Sequence, residues 1–568
     1  MHGKQVKAVK TIEEKYREWC EKAKDDGVRA ALFAMKDDEE AKNDAFYRDL
    51  AFGTGGLRGK IGAGTNRMNV YTVAKATKGL CDYLIKRFPP EKRRAAISFD
   101  SRIGSEEFSK VAAGVFAANG IRVFRYGVLM PTPCLSFAVR ALGCAAGVMI
   151  TASHNPAVYN GYKVYGEDGC QITTQAADEI LAEIEKLDVF ADVTVTAYDE
   201  GVQKGLIERV PDEVYTAFIG NVKAQSKLYG EEVERDVRIV YSPLNGTGLA
   251  PVLRALTESG FTSVTVVDEQ AAPDGRFPTC PYPNPEIREA MAPGIDYAKR
   301  LDADLLLATD PDCDRVGIAV RDGSGEYVLL TGNETGMLLF DYICARLRET
   351  GKMPVDPVLV KTVVTTDMAE KIAAHYGVRV INVLTGFKFI GEQIGLLEKQ
   401  GKADSYVFGF EESYGYLAGT YVRDKDAVVA AFLICEMFAY YKKLGVSFAE
   451  KLEGLYKTYG YTLCTLHSFT FEGEQGMKVM DALMKRLRGV TAVGGRPVVR
   501  LDDYAAGLDG LPPADVLKFT LAGSSFVVRP SGTEPKIKVY ITVSAAEKAD
   551  AAREEQALAA DVAALLKE

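Results

Sequence analysis

The sequence predicts an α/β protein of several mostly parallel sheets, with a smaller α+β region at its carboxyl end. After Asn43, apolar β-rich runs alternate with segments of helical period such as 106–118 and 250–259, and strands separated by helices form β-α-β units. The predicted strands span residues 95–99, 121–126, 147–150, 162–165, 237–241, 263–267, 304–308, 358–364 and 379–382.

The two ends of the chain follow different patterns. The first forty or so residues are rich in Lys and Glu and predict a helical extension. Near the other end, strands at 525–528 and 536–543 enclose a short polar turn, and a helical tail is predicted from Ala545. We place the domain boundaries near residues 205, 325 and 455, which gives domains at 1–205, 206–325, 326–455 and 456–568.

Length and charge limit what the protein can be. A chain of 568 residues is too long for one hydrophobic core. Its contents of 47% hydrophobic and 26% charged residues are typical of a folded globular protein. The formal net charge of −9 does not favour non-specific nucleic-acid binding. An anionic substrate would therefore need a local positive pocket.

Cysteine spacing and apolar stretches indicate a cytosolic protein with no membrane partner. None of the ten cysteines forms a C-x-x-C pair, so buried thiols are expected rather than zinc sites or disulfides. No signal-peptide core is visible near the first residue. The longest apolar stretch, 427–441, contains Glu436 and falls short of the roughly 18 residues that span a bilayer.

The first loop of chemical interest is 151–156 (T-A-S-H-N-P), directly after an apolar strand. Reactive groups of α/β proteins often lie in such loops, which makes Ser153 a candidate nucleophile. His154 is a candidate base, but sequence neighbours seldom point at each other, so a Ser-His dyad is disfavoured. The absence of G-x-S-x-G argues against an α/β-hydrolase. Lys163, in the next strand, is either solvated or an acid/base group facing Ser153.

A second loop, 310–315 (D-P-D-C-D-R), predicts a metal site. Asp310, Asp312 and Asp314 follow a strand, and their mutual repulsion is relieved by a hard cation, with oxygen ligands favouring Mg²⁺. An EF-hand is excluded because the sixth loop position is Arg315 rather than glycine. Cys313 is interpreted as a residue that separates two ligands and does not itself bind the metal.

Three further segments bear polar groups. The turn 409–416 (G-F-E-E-S-Y-G-Y) offers acceptors for sugar hydroxyls but is weak evidence alone, and the downstream cluster R-D-K-D at 423–426 is more typical of an ion-paired helix start. The turn 529–536 (R-P-S-G-T-E-P-K) provides many donors for a phosphate dianion. The Gly-rich segment 52–60 lacks nucleotide-binding patterns, although Arg58 in it suits a phosphate.

In this order, the motifs T-A-S-H-N-P, D-P-D-x-D-R and R-P-S-G-T-E-P resemble the α-D-phosphohexomutase superfamily, and most closely its phosphoglucomutase branch with the long phosphopentomutase-like members. The resemblance extends from Phe52 to about Tyr540. It implies four domains around a central cleft, three of one α/β topology and a smaller last domain. It also implies conversion of glucose 1-phosphate to glucose 6-phosphate through a phosphoserine and glucose 1,6-bisphosphate.

The resemblance assigns roles to individual residues. Ser153 becomes phosphorylated, and Asp310, Asp312 and Asp314 hold Mg²⁺ together with a phosphoserine oxygen. Lys163 is the general acid/base and Arg58 lies beside the phosphoryl group, with His154 kept as a further catalytic candidate. Glu411 and Ser413 contact the sugar, although the choice between Glu411 and Glu412 stays open. The remaining substrate-binding candidates are Arg315, Lys388, Arg423, Arg529, Ser531, Gly532, Thr533 and Lys536.

Several alternatives remain at this stage. Ribose or deoxyribose phosphates are the main other substrates, and mannose phosphate is a lesser one. A haloacid-dehalogenase-type phosphatase would use Asp310 as its nucleophile and leave Ser153 incidental. A non-enzymatic sugar-phosphate sensor would not need the serine, the three aspartates and the lysine together.

Overall fold

The computed structural model describes residues 10–53, 55–471, 476–531 and 536–567. Within them the chain forms two compact units, each built from pieces that are distant in sequence. The first unit extends to Gln225 and also contains Arg238–Val316 and Thr420–Phe432, and the second contains Ser226–Val237, Gly317–Gly419 and the chain from Leu433.

Three short helices begin the described chain, as the Lys- and Glu-rich pattern predicts. They are α1 (Ile12–Lys22), α2 (Asp26–Ala34) and α3 (Glu39–Phe46). Thr11, Asp25 and Asp38 start them by accepting backbone N–H groups of the first turns. Their apolar faces meet in a cluster around Trp19 and Phe46, with Tyr71 and Phe190 packed against it.

The first sheet is mixed and has seven strands in the order β1-β2-β6-β5-β3-β4-β7. Strands β5, β3, β4 and β7 are parallel, whereas β6, β2 and β1 continue the sheet antiparallel. The strands are β1 (Phe52–Gly53), β2 (Gly56–Lys60), β3 (Arg94–Phe99), β4 (Arg122–Arg125), β5 (Ala146–Ile150), β6 (Tyr159–Gly166) and β7 (Ile207–Arg209). The helices are α4 (Val70–Arg87), α5 (Ser105–Ala118), α6 (Thr132–Ala141), α7 (Thr174–Ile184), α8 (Tyr198–Gln203) and α9 (Asp212–Lys223).

The second region contains three parallel strands, in which β8 lies between β10 and β9. They are β8 (Ile239–Ser242), β9 (Val264–Val266) and β10 (Leu305–Thr309), with helices α10 (Leu249–Glu258), α11 (Asp268–Ala271) and α12 (Arg288–Leu301). The strands β11 (Val316–Arg321) and β12 (Tyr327–Leu330) follow as an antiparallel pair.

The third region has a four-stranded sheet in the order β14-β13-β15-β16, of which only β16 is antiparallel. Its strands are β13 (Val358–Thr362), β14 (Arg379–Val383), β15 (Tyr406–Glu411) and β16 (Gly415–Leu417). Its helices are α13 (Gly332–Glu349), α14 (Met368–Tyr376), α15 (Phe387–Lys399), α16 (Ala427–Lys443) and α17 (Phe448–Tyr459).

The last region is antiparallel, with five strands in the order β17-β23-β22-β21-β20. Two helices, α18 (Gly476–Leu487) and α19 (Lys548–Lys567), pack their apolar residues against the sheet. The strands of this sheet are β17 (Tyr461–Thr470), β20 (Arg500–Asp503), β21 (Leu517–Leu521), β22 (Ser524–Pro530) and β23 (Lys536–Ala545). A separate antiparallel pair is formed by β18 (Ala492–Val493) and β19 (Arg496–Pro497).

The predicted strands and helices are confirmed to within a few residues, and three mixed α/β regions precede a smaller antiparallel one. The helical tail is among these small differences, since it begins at Lys548 rather than at Ala545. Ala545 instead pairs with Tyr461 at the end of β23, because the partner strand β17 is ten residues long. No helix in the described ranges is long and apolar enough to cross a membrane.

Candidate active site

Ser153 lies in a strained loop three residues past the buried strand β5. Its backbone has a φ of 51°, a left-handed conformation that residues other than glycine seldom adopt. The hydroxyl of Thr151 accepts the Ser153 backbone N–H at 2.8 Å. Ser153 is only 4% exposed, so its hydroxyl is held in the interior of the first unit.

The Ser153 hydroxyl has two polar neighbours. Its Oγ donates to Asp310 Oδ2 at 2.8 Å and lies 3.1 Å from His154 Nδ1. The expectation that the Ser153 and His154 side chains point apart is therefore wrong. The left-handed turn at Ser153 explains the difference, because it brings two successive side chains to one side of the loop. Burial, aided by Arg315 and Arg58, holds the pKa of His154 well below its usual value, so its ring stays neutral.

The three aspartates after β10 are buried and close together. One ligand oxygen from each of Asp310, Asp312 and Asp314 lies within 4.8 Å of the others. Asp310 Oδ1 accepts the backbone N–H groups of Asp314 and Arg315 at 3.1 and 3.0 Å. Cys313 lies between two of the aspartates and is buried. Burial raises the pKa of its thiol, which favours the protonated form and agrees with the interpretation that Cys313 is not a metal ligand.

The aspartate cluster has the properties expected of a cation site. Asp312 Oδ1 and Asp314 Oδ1 are buried, and neither has a hydrogen-bond partner in the described part of the chain. Burial, with Asp312 and Asp314 nearby, raises the pKa of Asp310 well above its usual value. Oxygen ligands, buried unsatisfied carboxylate atoms and mutual repulsion fit a hard divalent cation.

Two lysines face the aspartates. Lys163 Nζ, from β6, lies 2.7 Å from Asp312 Oδ2 and 3.4 Å from Asp314 Oδ2. Lys425 Nζ lies 3.1 Å from Asp314 Oδ2. Burial alone would raise the pKa of Asp312, but Lys163, together with Asp310 and Lys425, outweighs burial and lowers that pKa. Burial would likewise lower the pKa of Lys163, yet Asp312 and Asp314 raise it overall. The cluster is therefore charge-compensated by ammonium groups.

Lys425 was not among the site residues predicted from the sequence. The R-D-K-D cluster does start a helix, since Asp426 Oδ1 accepts the N–H groups of Val428 and Val429 at the start of α16. It also supplies Lys425 to the aspartates, and Tyr165 donates to Asp424 at 2.7 Å. Alternating charge is the only signal in the sequence. It does not distinguish a helix start from a lysine that contacts the aspartates.

Arg423 and Arg58 differ in burial and in hydrogen-bond partners. The Arg423 side chain is fully buried and donates to the carbonyl groups of Thr420 and Val422. Arg58 is exposed on β2, and its Nη1 donates to Asn155 Oδ1 at 3.1 Å. Arg315 lies between the aspartates and Glu286, to which it donates at 3.1 Å.

The Gly-rich segment forms strands rather than a loop. Gly56 faces Lys163 in the pairing of β2 with β6 and has a φ of 140°. A Cβ atom there would lie 1.8 Å from the carbonyl oxygen of Tyr162. The glycine thus permits β2 to approach β6 and brings Arg58 near the Ser153 loop. Thr54 of this segment lies outside the described residues.

The second unit contains most of the substrate-binding residues predicted from the sequence, whereas Arg315 and Arg423 belong to the first unit. Glu411 ends β15 and accepts the Gly386 N–H at 2.9 Å, while Lys388 follows at the start of α15. Arg529, near the end of β22, lies beside Tyr540. Burial, reinforced by Glu412, raises the pKa of this tyrosine to about 12.

The phosphate turn is described only at its two ends. Ser531 donates its N–H to Lys536 O at 2.7 Å. Gly532 and Thr533 lie outside the described residues. Ser413 lies in the turn between β15 and β16.

Known proteins match the chain along most of its length. Models of the phosphoglucomutase/phosphomannomutase α/β/α domains I, II and III and of the C-terminal domain match residues 49–189, 213–323, 331–459 and 475–561. A phosphoglucomutase of Staphylococcus epidermidis is 36% identical over 518 residues, which is 89% of this chain and 92% of that protein. One of Staphylococcus aureus is 34% identical over 555 residues, covering 95% and 97%.

Solved structures share the fold at lower identity. A putative phosphomannomutase from Thermus thermophilus has a TM-score of 0.69 and 21% identity, and covers 92% of this chain and 100% of its own. The open form of parafusin, a Paramecium phosphoglucomutase, has a TM-score of 0.66 and 17% identity, with 92% and 95% covered.

Proposed function

The chain belongs to the phosphoglucomutase/phosphomannomutase family, and from this we propose that it interconverts glucose 1-phosphate and glucose 6-phosphate on a phosphorylated Ser153. The observation that supports the chemistry is the 2.8 Å contact between Ser153 Oγ and Asp310 in a buried cluster of three aspartates. A phosphoryl group on that oxygen would lie beside the three aspartates, where a divalent cation held by them, together with Lys163, would neutralise its charge. The substrate class follows from the names of relatives that match nearly the whole chain.

The metal we propose is Mg²⁺, held by Asp310, Asp312 and Asp314. When bound, a divalent cation stabilises the charge that develops on the transferred phosphoryl group. The unsatisfied Oδ1 atoms of Asp312 and Asp314 suit this ligand set. Removal of divalent cations is therefore expected to stop turnover.

The proposed reaction has two matching halves. A hydroxyl oxygen of the sugar monophosphate bonds to phosphorus as the Ser153 Oγ–P bond breaks, which yields glucose 1,6-bisphosphate. The bisphosphate then returns its other phosphoryl group to Ser153. Such a transfer needs positioning and charge neutralisation more than covalent assistance.

Lys163 is the group we propose for the hydroxyl proton. Its ammonium form is stabilised by Asp312 and Asp314, which raise its pKa. If Asp312 and Asp314 bind a cation instead of Lys163, burial favours the neutral amine of Lys163. The neutral Nζ can then accept the hydroxyl proton. The neutral ring of His154 is the second polar group next to the serine, with its Nδ1 3.1 Å from Ser153 Oγ.

Substrate binding is proposed for two groups of residues. Glu411 and Ser413 would contact sugar hydroxyls, with Lys388 nearby in the chain. The guanidinium of Arg529, the turn 531–533 and Lys536 would hold the phosphate that is not transferred. Arg58 and Arg315 would contact the phosphate being transferred. Arg423 is kept as a substrate-binding candidate, although its guanidinium donates to the backbone carbonyl groups of Thr420 and Val422.

We further propose a cytosolic location and small sugar phosphates as partners, with no nucleic-acid or membrane partner. All ten cysteines lie in the described ranges and none of them forms a disulfide there, which suits a reducing compartment.

The decisive experiment compares Ser153→Ala with Ser468→Ala, a serine on the exposed side of β17. Each purified protein is assayed with glucose 1-phosphate, ribose 1-phosphate and mannose 1-phosphate, with catalytic bisphosphate and Mg²⁺. We expect the wild type and Ser468→Ala to prefer glucose 1-phosphate, and Ser153→Ala to lose roughly 10⁴-fold or more of kcat. Intact-mass analysis should find one phosphate on the wild type that glucose 1-phosphate removes. Full activity of Ser153→Ala would refute the phosphoserine scheme, and preference for ribose 1-phosphate would refute the hexose assignment.

A further inference from the structure

Four carbonyl groups of the Ser153 loop converge on a single side chain. Arg102 Nη2 donates to the carbonyl oxygens of Ser153 and Asn155. Its Nη1 donates to those of Pro156 and Tyr159 at 2.9 and 3.0 Å. One guanidinium thus donates to four carbonyl groups in and next to the turn between β5 and β6.

The topology of the first sheet brings Arg102 to this loop. Strands β3 and β5 are parallel neighbours, and Phe99 pairs with Ile150 at their carboxyl ends. Arg102 and Ser153 each lie three residues beyond that pair. Loops that leave parallel strands at the same edge meet there, so residues about fifty positions apart come into contact.

Arg102 is itself held rigidly. Its Nε lies 3.4 Å from Asp100 Oδ2, and both side chains have 0% exposure. Asp100 Oδ1 accepts the Arg102 backbone N–H at 2.9 Å and the Ser105 hydroxyl at 2.7 Å. The guanidinium also lies over the ring of Phe277, 5.0 Å from its centroid. The position of the guanidinium is therefore determined by neighbours on three sides.

Only arginine has the geometry for this task. Its guanidinium presents five N–H donors in one fixed plane, whereas a lysine ammonium is a single point with three donors. The left-handed backbone of Ser153 is unfavourable for a residue other than glycine, and it persists only when contacts around it hold it in place. The two carbonyl groups that accept from Nη2, those of Ser153 and Asn155, flank His154 in the sequence.

We propose that Arg102 is a positioning residue for phosphoryl transfer: by binding the loop carbonyls it holds Ser153 in the left-handed conformation that places Oγ beside Asp310. It acts through the backbone and touches neither substrate nor cation. The inference rests on the proposed function only for its kinetic consequence. Its structural consequence, immobilisation of residues 151–160, holds whichever reaction Ser153 performs.

The test compares Arg102→Lys and Arg102→Ala with Arg125→Lys. Arg125 is a matched control because it is also buried in the first unit, donates to Ser109 Oγ at 2.8 Å, and lies 4.5 Å from the Phe99 ring centroid. Within the described residues it has no hydrogen bond to residues 151–160. For both Arg102 variants we expect kcat to fall about 100-fold with KM for glucose 1-phosphate changed less than about threefold. Hydrogen exchange in residues 151–160 should become faster. Arg125→Lys should lower the unfolding midpoint and change neither quantity.

Added guanidinium ion, at a concentration too low to denature the protein, supplies a further readout. We expect it to restore part of the kcat of Arg102→Ala and none of that of Ser153→Ala. If Arg102→Ala does not fold, Arg102→Lys decides alone. Unchanged kcat or unchanged exchange of residues 151–160 in Arg102→Lys would overturn the positioning role. An inactive wild type would instead refute the proposed function, and the exchange measurement would then still decide the role of Arg102.

Discussion

Three carboxylates and two ammonium groups share the buried cluster next to Ser153. Lys163 and Lys425 both contact Asp314 Oδ2, at 3.4 and 3.1 Å. Each ammonium weakens the attraction of the aspartates for another cation, because like charges repel strongly where water is scarce. The two lysines would therefore set how tightly the cluster binds a divalent metal, and only Lys163 is proposed to handle the substrate proton.

The Lys425→Met variant tests this division of roles. Loss of one competing positive charge should tighten Mg²⁺ binding about 10-fold, measured by isothermal titration calorimetry. Lys163→Met should tighten binding similarly but lower kcat by roughly 10²–10⁴-fold. Lys204→Met, an exposed lysine next to α8, is the control and should change neither. Unchanged or weaker Mg²⁺ binding by Lys425→Met would contradict the electrostatic competition.

Sequence motifs were sufficient for residues whose chemistry is local. The aspartates cluster because they alternate within one tight turn, and Ser153 follows a strand, so both were predictable. Lys425 and Arg102 were not, since their partners are distant in sequence and depend on which strand ends are adjacent. The contact between Ser153 and His154 depends on a left-handed φ at a serine, which the residue type does not indicate.

At the level of elements, the helix α13 determines where the E-E-S-Y turn lies. Its first residue, Gly332, packs so closely that an added Cβ would lie 2.0 Å from the carbonyl oxygen of Glu412 and 2.8 Å from the Tyr414 nitrogen. Backbone atoms cannot rotate away as a side chain can. The absence of a side chain at Gly332 is thus a condition for the position of Glu411 and Ser413.

Gly332→Ala is expected to displace that turn. We predict a 10- to 100-fold loss of kcat/KM for glucose 1-phosphate, in line with a displacement of about 1 Å, and a destabilisation of about 1–3 kcal/mol from overpacking. The control is Gly395→Ala in α15, where an added Cβ has no atom within 4 Å. That variant should keep full activity and gain up to about 1 kcal/mol of stability. Equal behaviour of the two variants in steady-state assays would contradict the prediction.

The start of α16 contains a buried carboxyl group with an unusual proton affinity. Asp426 is fully buried and accepts the N–H groups of two residues in the first turn, as well as the Tyr421 hydroxyl at 2.5 Å. Burial outweighs these hydrogen bonds and raises the pKa of Asp426 to about 6. The folded protein therefore binds this proton more tightly than the unfolded chain does.

This difference makes stability depend on pH. A raised carboxyl pKa contributes stability that is complete below the unfolded pKa of about 4 and is lost as pH rises through about 6. Between about pH 5 and pH 8 the wild type should lose about 1.4 kcal/mol of unfolding free energy from this group. Asp426→Asn keeps an N-cap and should lack that loss, which urea titrations at both pH values measure. The exposed control Asp212→Asn should follow the wild type, and parallel curves for all three proteins would count against the assignment.

For the whole molecule, the alternation of strands and helices in the sequence predicts the order of the regions. It does not predict which segments of the chain form each compact unit. Alternating strands and helices suffice to predict three α/β regions and a different last one. The two compact units, in contrast, combine segments such as Thr420–Phe432 with residues far earlier in the chain. Local periodicity contains no information on such pairings, because they depend on contacts between separate elements.

The N-terminal helices have an optical consequence. Trp19 is the only tryptophan of the chain, and it is 2% exposed among aromatic neighbours: its ring centroid lies 5.4 Å from that of Phe190 and 5.5 Å from that of Tyr71. Emission excited selectively at the indole therefore reports on the first unit alone, whereas circular dichroism sums both units. The native chain thus contains a built-in fluorescent label, and comparison of the two signals during denaturation distinguishes joint from separate melting of the units.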